Sequence, residues 1–204
     1  MAKISEKTQE LIQQFLEEKE DAKLFDILDS PARWNYEYFL SLLPLLTHET
    51  QRIVVLAPEF VAKGRSQIIE DRPPRHALLA RNILDTVITL PKNLFNHRFA
   101  PVTLLLFNVN KVDSTILFIN ATQGFQADQG QTMVQDAQAS KILGTYLRVR
   151  APKHAPSELS SPVCYAAQLD EIKPGVIVDQ YAYLATLEEV ARNHCSVSPA
   201  DYVC

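Results

Sequence analysis

Short apolar runs divide the chain into predicted strands. The clearest are 53–57 and 86–90, and similar runs cover 102–109 and 115–120. Each run is rich in β-branched or large apolar residues and is bounded by Pro, Asn or Asp, which is typical of strands covered on both faces of a sheet. The pattern therefore predicts four central strands.

Helical patterns fill much of the remaining sequence. The first helical pattern, at 4–20, is amphipathic, so its apolar stripe needs a partner surface. Capping-box pairs, in which Thr precedes Gln or Glu by three positions, join Thr132 to Gln135 and Thr186 to Glu189. The predicted helices cover 4–20, 36–46, 75–84, 132–147 and 187–193.

Alternation of strands and helices predicts an α/β fold whose sheet is covered by helices. The links from 90 to 102 and around 111–113 are too short for crossover helices, so the later strands should include antiparallel partners. Three prolines and three serines mark 151–163 as a linker. The predicted division is a helical N-terminal region at 1–46, an α/β core at 47–150, this linker, and a C-terminal appendage at 164–204.

Composition narrows the class of protein. The chain has 204 residues, of which 47% are hydrophobic, with 20 Lys and Arg against 24 Asp and Glu. No apolar run approaches the roughly 20 residues that cross a bilayer, and no signal segment opens the chain. The sequence therefore predicts a cytoplasmic protein without a membrane partner. Three cysteines with no CxxC spacing predict neither a disulfide framework nor a metal site.

Glycine usage excludes the common phosphate-binding turns. The five glycines stand apart at 64, 124, 130, 144 and 175, so neither GxGxxG nor GxxxxGK occurs. Both motifs bring backbone amides against a phosphate, which needs paired glycines. A self-sufficient nucleotide-binding enzyme of these kinds is excluded.

One stretch of the chain is basic. Residues 63–98 hold seven Lys and Arg against three Asp and Glu, whereas the excess of acidic residues lies in 1–30. A basic stretch is the electrostatic footprint of nucleic-acid binding, and it is equally the pattern of an ion-paired, solvated face. The sequence leaves both interpretations open.

Several segments, taken in order, resemble one family. They read DTVITLP (85–91), KNLF (92–95), PVTLLLFNVNK (101–111), ILFINATQGF (116–125) and LEEVARNHCSVSPADYV (187–203). Over about residues 50–204 the chain resembles the C-terminal half of the N6-adenine DNA methylases, the methylation subunits of type I restriction-modification systems. The resemblance implies the later half of a Rossmann-like methyltransferase sheet, with flanking helices and a small C-terminal helical unit.

The resemblance also implies a degraded catalytic loop near 26–33. The family's loop reads Asn-Pro-Pro-Phe, where polar oxygens accept hydrogens from the adenine amine and an aromatic ring stacks on the base. Ser30 and Pro31 fall on its first two positions, and Arg33 falls where the ring should be unless Trp34 substitutes. A plain turn is the alternative. Because the glycine turn for S-adenosylmethionine is missing, no cofactor is expected unless a partner chain supplies that half.

The function implied is a truncated or degenerate adenine-specific DNA methyltransferase that is inactive alone and acts as a DNA-binding or partner subunit. Duplex DNA, a methylase or specificity subunit, and a second copy of the chain are the expected partners, because half a sheet leaves an open strand edge. Two alternatives are an interaction module without a DNA role and one half of a split enzyme. The predicted phosphate contacts are Arg65, Arg75, Lys92 and Arg98.

Overall fold

The computed structural model describes most of the predicted α/β core and the C-terminal end. The predicted helix 4–20, the linker 151–163, Arg65 and Arg98 lie outside the described residues. The described residues are 22–63, 72–94, 100–123, 126–128, 131–133, 136–150, 173–175, 177–178 and 180–203.

Seven strands of the described residues form one mixed sheet, in the order β1-β2-β4-β3-β5-β9-β8. A separate hairpin pairs β6 with β7. The strands are β1 Ala22–Asp26, β2 Arg52–Pro58, β3 Leu84–Leu90, β4 Val102–Asn108, β5 Thr115–Asn120, β6 Gln126–Asp128, β7 Gln131–Met133, β8 Ile177–Val178 and β9 Ala182–Thr186.

The ends of the strands form two opposite borders of the sheet, and the direction of each strand decides at which border it ends. β1 is parallel to β2, β3 is parallel to β5, and β4 is antiparallel to both β2 and β3. Strands β1, β2, β3 and β5 therefore end at one edge, which we call the carboxyl edge. The α/β fold is confirmed, with the four predicted strands adjacent and the antiparallel partner present.

Helices flank this sheet on both faces. Alternate residues of β2 enter different cores, with Ile53 and Val55 in one and Val54 and Leu56 in the other. This alternation explains why the strand sequences are apolar throughout. None of the described helices has the length and apolar character needed to cross a membrane. The helices are α1 Tyr36–Leu42, α2 Glu59–Lys63, α3 Arg72–Ala80, α4 Asp136–Arg150 and α5 Leu187–Arg192, with 3-10 turns at Pro31–Arg33, Leu43–Leu45 and Pro199–Asp201.

Local chemistry sets the helix ends. Helix α3 begins earlier than predicted because Pro73 and Pro74 suit a first turn, where backbone N–H groups have no helical partner. It ends before Asn82, which adopts the left-handed conformation at φ 52° that closes many helices. The predicted cap of α5 is confirmed, since Glu189 N donates to Thr186 Oγ1 at 3.2 Å.

The predicted start of the 132–147 helix is wrong. Thr132 lies in β7, where it pairs with Ala127 of β6. Helix α4 begins only at Asp136 and continues to Arg150. Thr132 is therefore a strand residue, and Gln135, the second residue of the predicted capping box, lies outside the described residues.

The predicted division into core and appendages also needs correction. The helical N-terminal region contains β1, and the C-terminal appendage contains β9, which pairs with β5. Tyr202 stacks on Phe118 of β5 with ring centroids 4.0 Å apart and 4° between the planes. Strand pairing and this stacking make both ends of the described chain part of one sheet and its cores.

Candidate nucleic-acid interface

The loop that follows β1 lies at the carboxyl edge. Ile27 N donates to Leu56 O at 3.0 Å, which extends the pairing with β2 beyond the strand itself. Ser30 then precedes the 3-10 turn Pro31–Arg33, and its side chain makes no capping hydrogen bond. The structure therefore places Ser30 and Pro31 at the edge of the sheet where ligands of α/β proteins commonly bind.

Two aromatic rings stand beside this loop. Trp34 donates from Nε1 to Ile27 O at 2.8 Å, and its ring meets Phe60 edge-on, with centroids 5.1 Å apart. Phe60 is 40% exposed. Arg33 instead lies over the Tyr38 ring, 5.5 Å from its centroid. Trp34 and Phe60, which we call the aromatic pair, thus supply the ring surface at this edge, and Arg33 does not.

A pocket of about 480 Å³ opens at the same edge. It lies where β2, β3 and β5 end and where β4 begins. Such crevices outside the carboxyl ends of strands are the usual ligand sites of α/β folds. The lining residues are Glu59, Lys63, Thr89, Pro91, Lys92, Pro101, Asn120, Thr122, Gln123 and Ala200.

The carboxylate in this pocket is held by neighbouring side chains. Glu59 Oε1 lies 3.1 Å from Lys63 Nζ and accepts a hydrogen bond from Ser198 Oγ at 3.2 Å. Its own N–H donates to Pro101 O at 3.1 Å. Lys63 and Lys92 are both exposed at the border of the pocket.

The predicted phosphate contacts do not share one surface. Lys92 lines the pocket, whereas Arg75 is only 2% exposed. The Arg75 guanidinium lies 4.9 Å from the Tyr36 ring centroid, and its Nη1 donates to His194 O at 3.4 Å. Arg75 is therefore a core residue that joins α3 to α1 and the C-terminal segment, which does not fit the role of a phosphate contact.

Polar residues at the end of β5 were missed by the sequence analysis. Asn120 Oδ1 accepts hydrogen bonds from Thr122 N at 3.3 Å and Thr122 Oγ1 at 2.7 Å. Both residues line the pocket with Glu59. The available signal was their position, because Asn120 is the last residue of β5, which runs toward the carboxyl edge, and Thr122 lies two positions beyond it.

The described cysteine does not form a nucleophilic or metal site. Cys195 is buried, and its Sγ lies 3.5 Å from both ring nitrogens of His76. Burial raises the pKa of the Cys195 thiol, against the opposing charge of Arg75, so the thiol stays protonated at neutral pH. The described residues contain no group of three His, Cys, Asp or Glu side chains placed to hold a metal ion.

A comparison with models of known protein families shows to which family the chain belongs. A protein-family model described as N-6 DNA Methylase matches residues 17–204, which is most of the chain. The chain belongs to the N-6 DNA methylase family. The resemblance to the N6-adenine DNA methylases is confirmed.

A solved structure of a methyltransferase subunit shows the same fold. The methyltransferase subunit of a type I restriction-modification system from Streptococcus thermophilus matches with a TM-score of 0.64 and 21% identity, over 90% of this chain and 38% of that chain. A modification subunit of a putative type I restriction enzyme from Vibrio vulnificus YJ016 gives a TM-score of 0.48 and 14% identity, over 88% and 36%. This N-6 DNA methylase chain thus spans well under half the length of either subunit.

The described residues that line the pocket include no glycine-rich turn of the kind that holds the methyl donor S-adenosylmethionine. Gly64 and Gly124, which directly follow the lining residues Lys63 and Gln123, lie outside the described residues.

Proposed function

We propose that this chain contributes the DNA-facing part of an adenine-specific DNA methyltransferase of restriction-modification type and does not methylate by itself. The observation that carries the proposal is a shared location. The Ser30 loop, the aromatic pair and the lysine-bordered pocket all lie at the carboxyl edge of the sheet in a chain of the N-6 DNA methylase family.

Each of these features suits a different part of a nucleic acid. Lys63 and Lys92 neutralise phosphates, which supplies affinity without reading sequence. The aromatic pair offers ring faces and edges against which bases stack. Ser30 Oγ is able to accept one hydrogen bond from an adenine amine. Together they suit a duplex that lies along the carboxyl edge.

Methyl transfer requires a binding site for the methyl donor, which residues outside this sequence would supply. No glycine-rich turn occurs in the sequence, so we expect S-adenosylmethionine not to bind these 204 residues alone. A separate methylase chain, or further chain joined to this one, would complete a split active enzyme. Calorimetric titration of the purified chain tests this, and a dissociation constant in the micromolar range would contradict it.

The single tryptophan provides a local test of DNA binding. Trp34 is the only tryptophan in the chain and belongs to the aromatic pair. Titration with duplex DNA at low salt should change the intrinsic tryptophan fluorescence, because the duplex would approach the indole. Lys92→Ala should lower the affinity for duplex DNA, whereas Lys23→Ala at the amino end of β1 should leave that affinity unchanged.

A second candidate function is a protein interaction module without a DNA role. Among the described residues β1 pairs only with β2, so its outer edge has no strand partner there. If duplex DNA changes neither the Trp34 fluorescence nor the electrophoretic mobility at about 50 mM salt, the DNA proposal is wrong and this function takes its place.

A further inference from the structure

Lys111 lies in the turn between β4 and β5, at the edge of the sheet opposite the candidate interface. It is half-buried, and its Nζ donates to Asn82 Oδ1 at 2.8 Å and to Leu84 O at 2.9 Å. Both acceptors are uncharged. Among the described residues, no carboxylate lies within ion-pair distance of this nitrogen.

Arg150 pairs with the two carboxylates whose charge reaches Lys111. Its Nη1 lies 2.8 Å from Asp113 Oδ2, and its Nε lies 3.4 Å from Asp85 Oδ1. Burial and the charge of Arg150 lower the pKa of the Lys111 amine to about 8, although Asp85 and Asp113 oppose the shift. Near neutral pH this amine is therefore unprotonated far more often than an ordinary lysine.

The number of hydrogen bonds at Nζ also suits the neutral amine. A lysine ammonium has three N–H donors, whereas the neutral amine has two donors and one lone pair. Asn82 and Leu84 accept two hydrogen bonds, and no other described residue accepts a third. The neutral amine therefore satisfies both acceptors and keeps its lone pair. The next two residues of the turn, Val112 and Asp113, are exposed, which opens this position to a small reagent.

We propose that Lys111 is a nucleophilic amine that is acylated by acyl thioesters. The lone pair of Nζ attacks the thioester carbonyl carbon, a C–N bond forms, and the C–S bond breaks with its electron pair passing to sulfur. The proton that Nζ loses passes to the leaving thiolate, directly or through water. The product is a neutral amide with a single N–H, which retains a hydrogen bond to only one of the two acceptors.

The test measures acetylation of the full chain by a small neutral thioester, S-acetyl-N-acetylcysteamine, with each lysine followed by peptide mass spectrometry. At about pH 7.5 roughly a quarter of Lys111 is unprotonated, against about one in a thousand for an exposed lysine such as Lys23. A weaker base is also a poorer nucleophile, which offsets part of this difference. Lys111 should therefore react at least about ten-fold faster than Lys23.

The pH dependence of the two rates separates nucleophilicity from simple access of the reagent. The rate at Lys111 should level off above about pH 8, because little more neutral amine forms there. The rate at Lys23 should continue to rise by about ten-fold per pH unit toward the ordinary pKa of lysine.

A pair of matched substitutions tests the part played by the neutral acceptor. Asn82 and Asn93 are both half-buried and adopt the left-handed conformation, at φ 52° and 60°, which Asp also tolerates. Asn82→Asp places a carboxylate beside Nζ, which favours the ammonium and should slow acetylation of Lys111 by about ten-fold at pH 7.5. Asn93→Asp, beyond the end of β3 at the carboxyl edge, should leave that rate unchanged.

Three results would each overturn the proposal. These are a rate at Lys111 no higher than at Lys23, parallel pH profiles for the two lysines, or equal acetylation of Lys111 in wild type and Asn82→Asp. The first two comparisons are made within the wild-type protein, so they decide the matter even if Asn82→Asp does not fold. None of them depends on DNA binding at the carboxyl edge.

Discussion

At the residue scale, Arg150 connects three elements at the edge of the sheet opposite the candidate interface. Its side chain is 5% exposed, and Nη2 donates to Asp85 O at 2.6 Å and Thr115 O at 3.0 Å. Nη1 donates to Asp113 Oδ2 at 2.8 Å, while Nε lies 3.4 Å from Asp85 Oδ1 in an ion-pair contact. The last residue of α4 is therefore fixed to β3 and β5.

Replacement of Arg150 by Met should destabilise the fold strongly. The Asp85 side chain, 3% exposed, would lose its cation, and breaking a buried pair in this way costs about 3–5 kcal/mol. Urea unfolding measures the change. Arg81→Met, at an exposed arginine, is the control and should change the free energy of unfolding by less than about 0.5 kcal/mol. Equal effects of the two substitutions would show that the Arg150 contacts do not stabilise the fold.

Lys111 should make stability depend on pH in the alkaline range. Burial and the nearby charge of Arg150 lower its pKa from 10.5 to about 8, although Asp85 and Asp113 oppose the shift. Between these two values the unfolded chain binds more protons than the folded chain, so the free energy of unfolding should rise with pH. Below about pH 8 both states hold the proton and this dependence disappears.

The comparison with Lys111→Met isolates this effect from other titrating groups. Unfolding curves from about pH 7 to pH 9.5 should show wild type gaining stability relative to the variant as pH rises. The variant also loses the hydrogen bonds from Lys111 Nζ to Asn82 Oδ1 and Leu84 O, a difference that should not vary with pH. Parallel stability profiles for the two proteins would contradict the shifted pKa.

At the element scale, sequence patterns predicted the strands that are buried on both faces and missed those with weaker signals. β2 is a continuous β-branched and apolar run, whereas β9 reads Ala-Tyr-Leu-Ala-Thr and contains two alanines, which favour strands poorly. Its pairing with β5 joins residues about 70 positions apart, as in Ile116 with Ala185, and no local pattern encodes such a contact.

Only part of the candidate site was predictable from the sequence. Lys92 follows the predicted strand 86–90 closely enough to be placed near a strand end. Ser30 was singled out only by the family resemblance, because no strand was predicted before it. The burial of Arg75 was not predictable, because it depends on α3 packing against Tyr36 of α1 and on the carbonyl of His194. Tertiary packing decided whether a basic residue became surface or core.

The edge of β1 leads to a prediction about assembly. This five-residue strand pairs only with β2 among the described residues, and unpaired backbone groups of an edge strand favour association. We expect a two-fold dimer of the 23.0 kDa chain. Light scattering across a range of concentrations measures the mass. If the measured mass equals that of one chain at every concentration, the outer edge of β1 is covered within the monomer.

At the scale of the whole molecule, the sheet separates structural polar contacts from the proposed ligand surface. The buried ion pair of Arg150 and Asp85 lies where β3 and β5 begin, and the aromatic pair and the pocket lie where β2, β3 and β5 end. This separation allows residues of the carboxyl edge to be changed without disturbing the buried ion pair. The central claim, that DNA binds at the carboxyl edge, is therefore accessible to charge substitutions.

The salt dependence of duplex binding tests that claim most directly. Affinity should be measured by fluorescence anisotropy over a range of salt concentrations for wild type, Lys23→Ala and the Lys63→Ala/Lys92→Ala double variant. Because each neutralised phosphate contributes about −0.9 to the slope of log K against log salt, the double variant should have a slope shallower by about 1.8. The Lys23→Ala slope should equal that of wild type. Identical slopes for all three proteins would contradict DNA binding at the carboxyl edge.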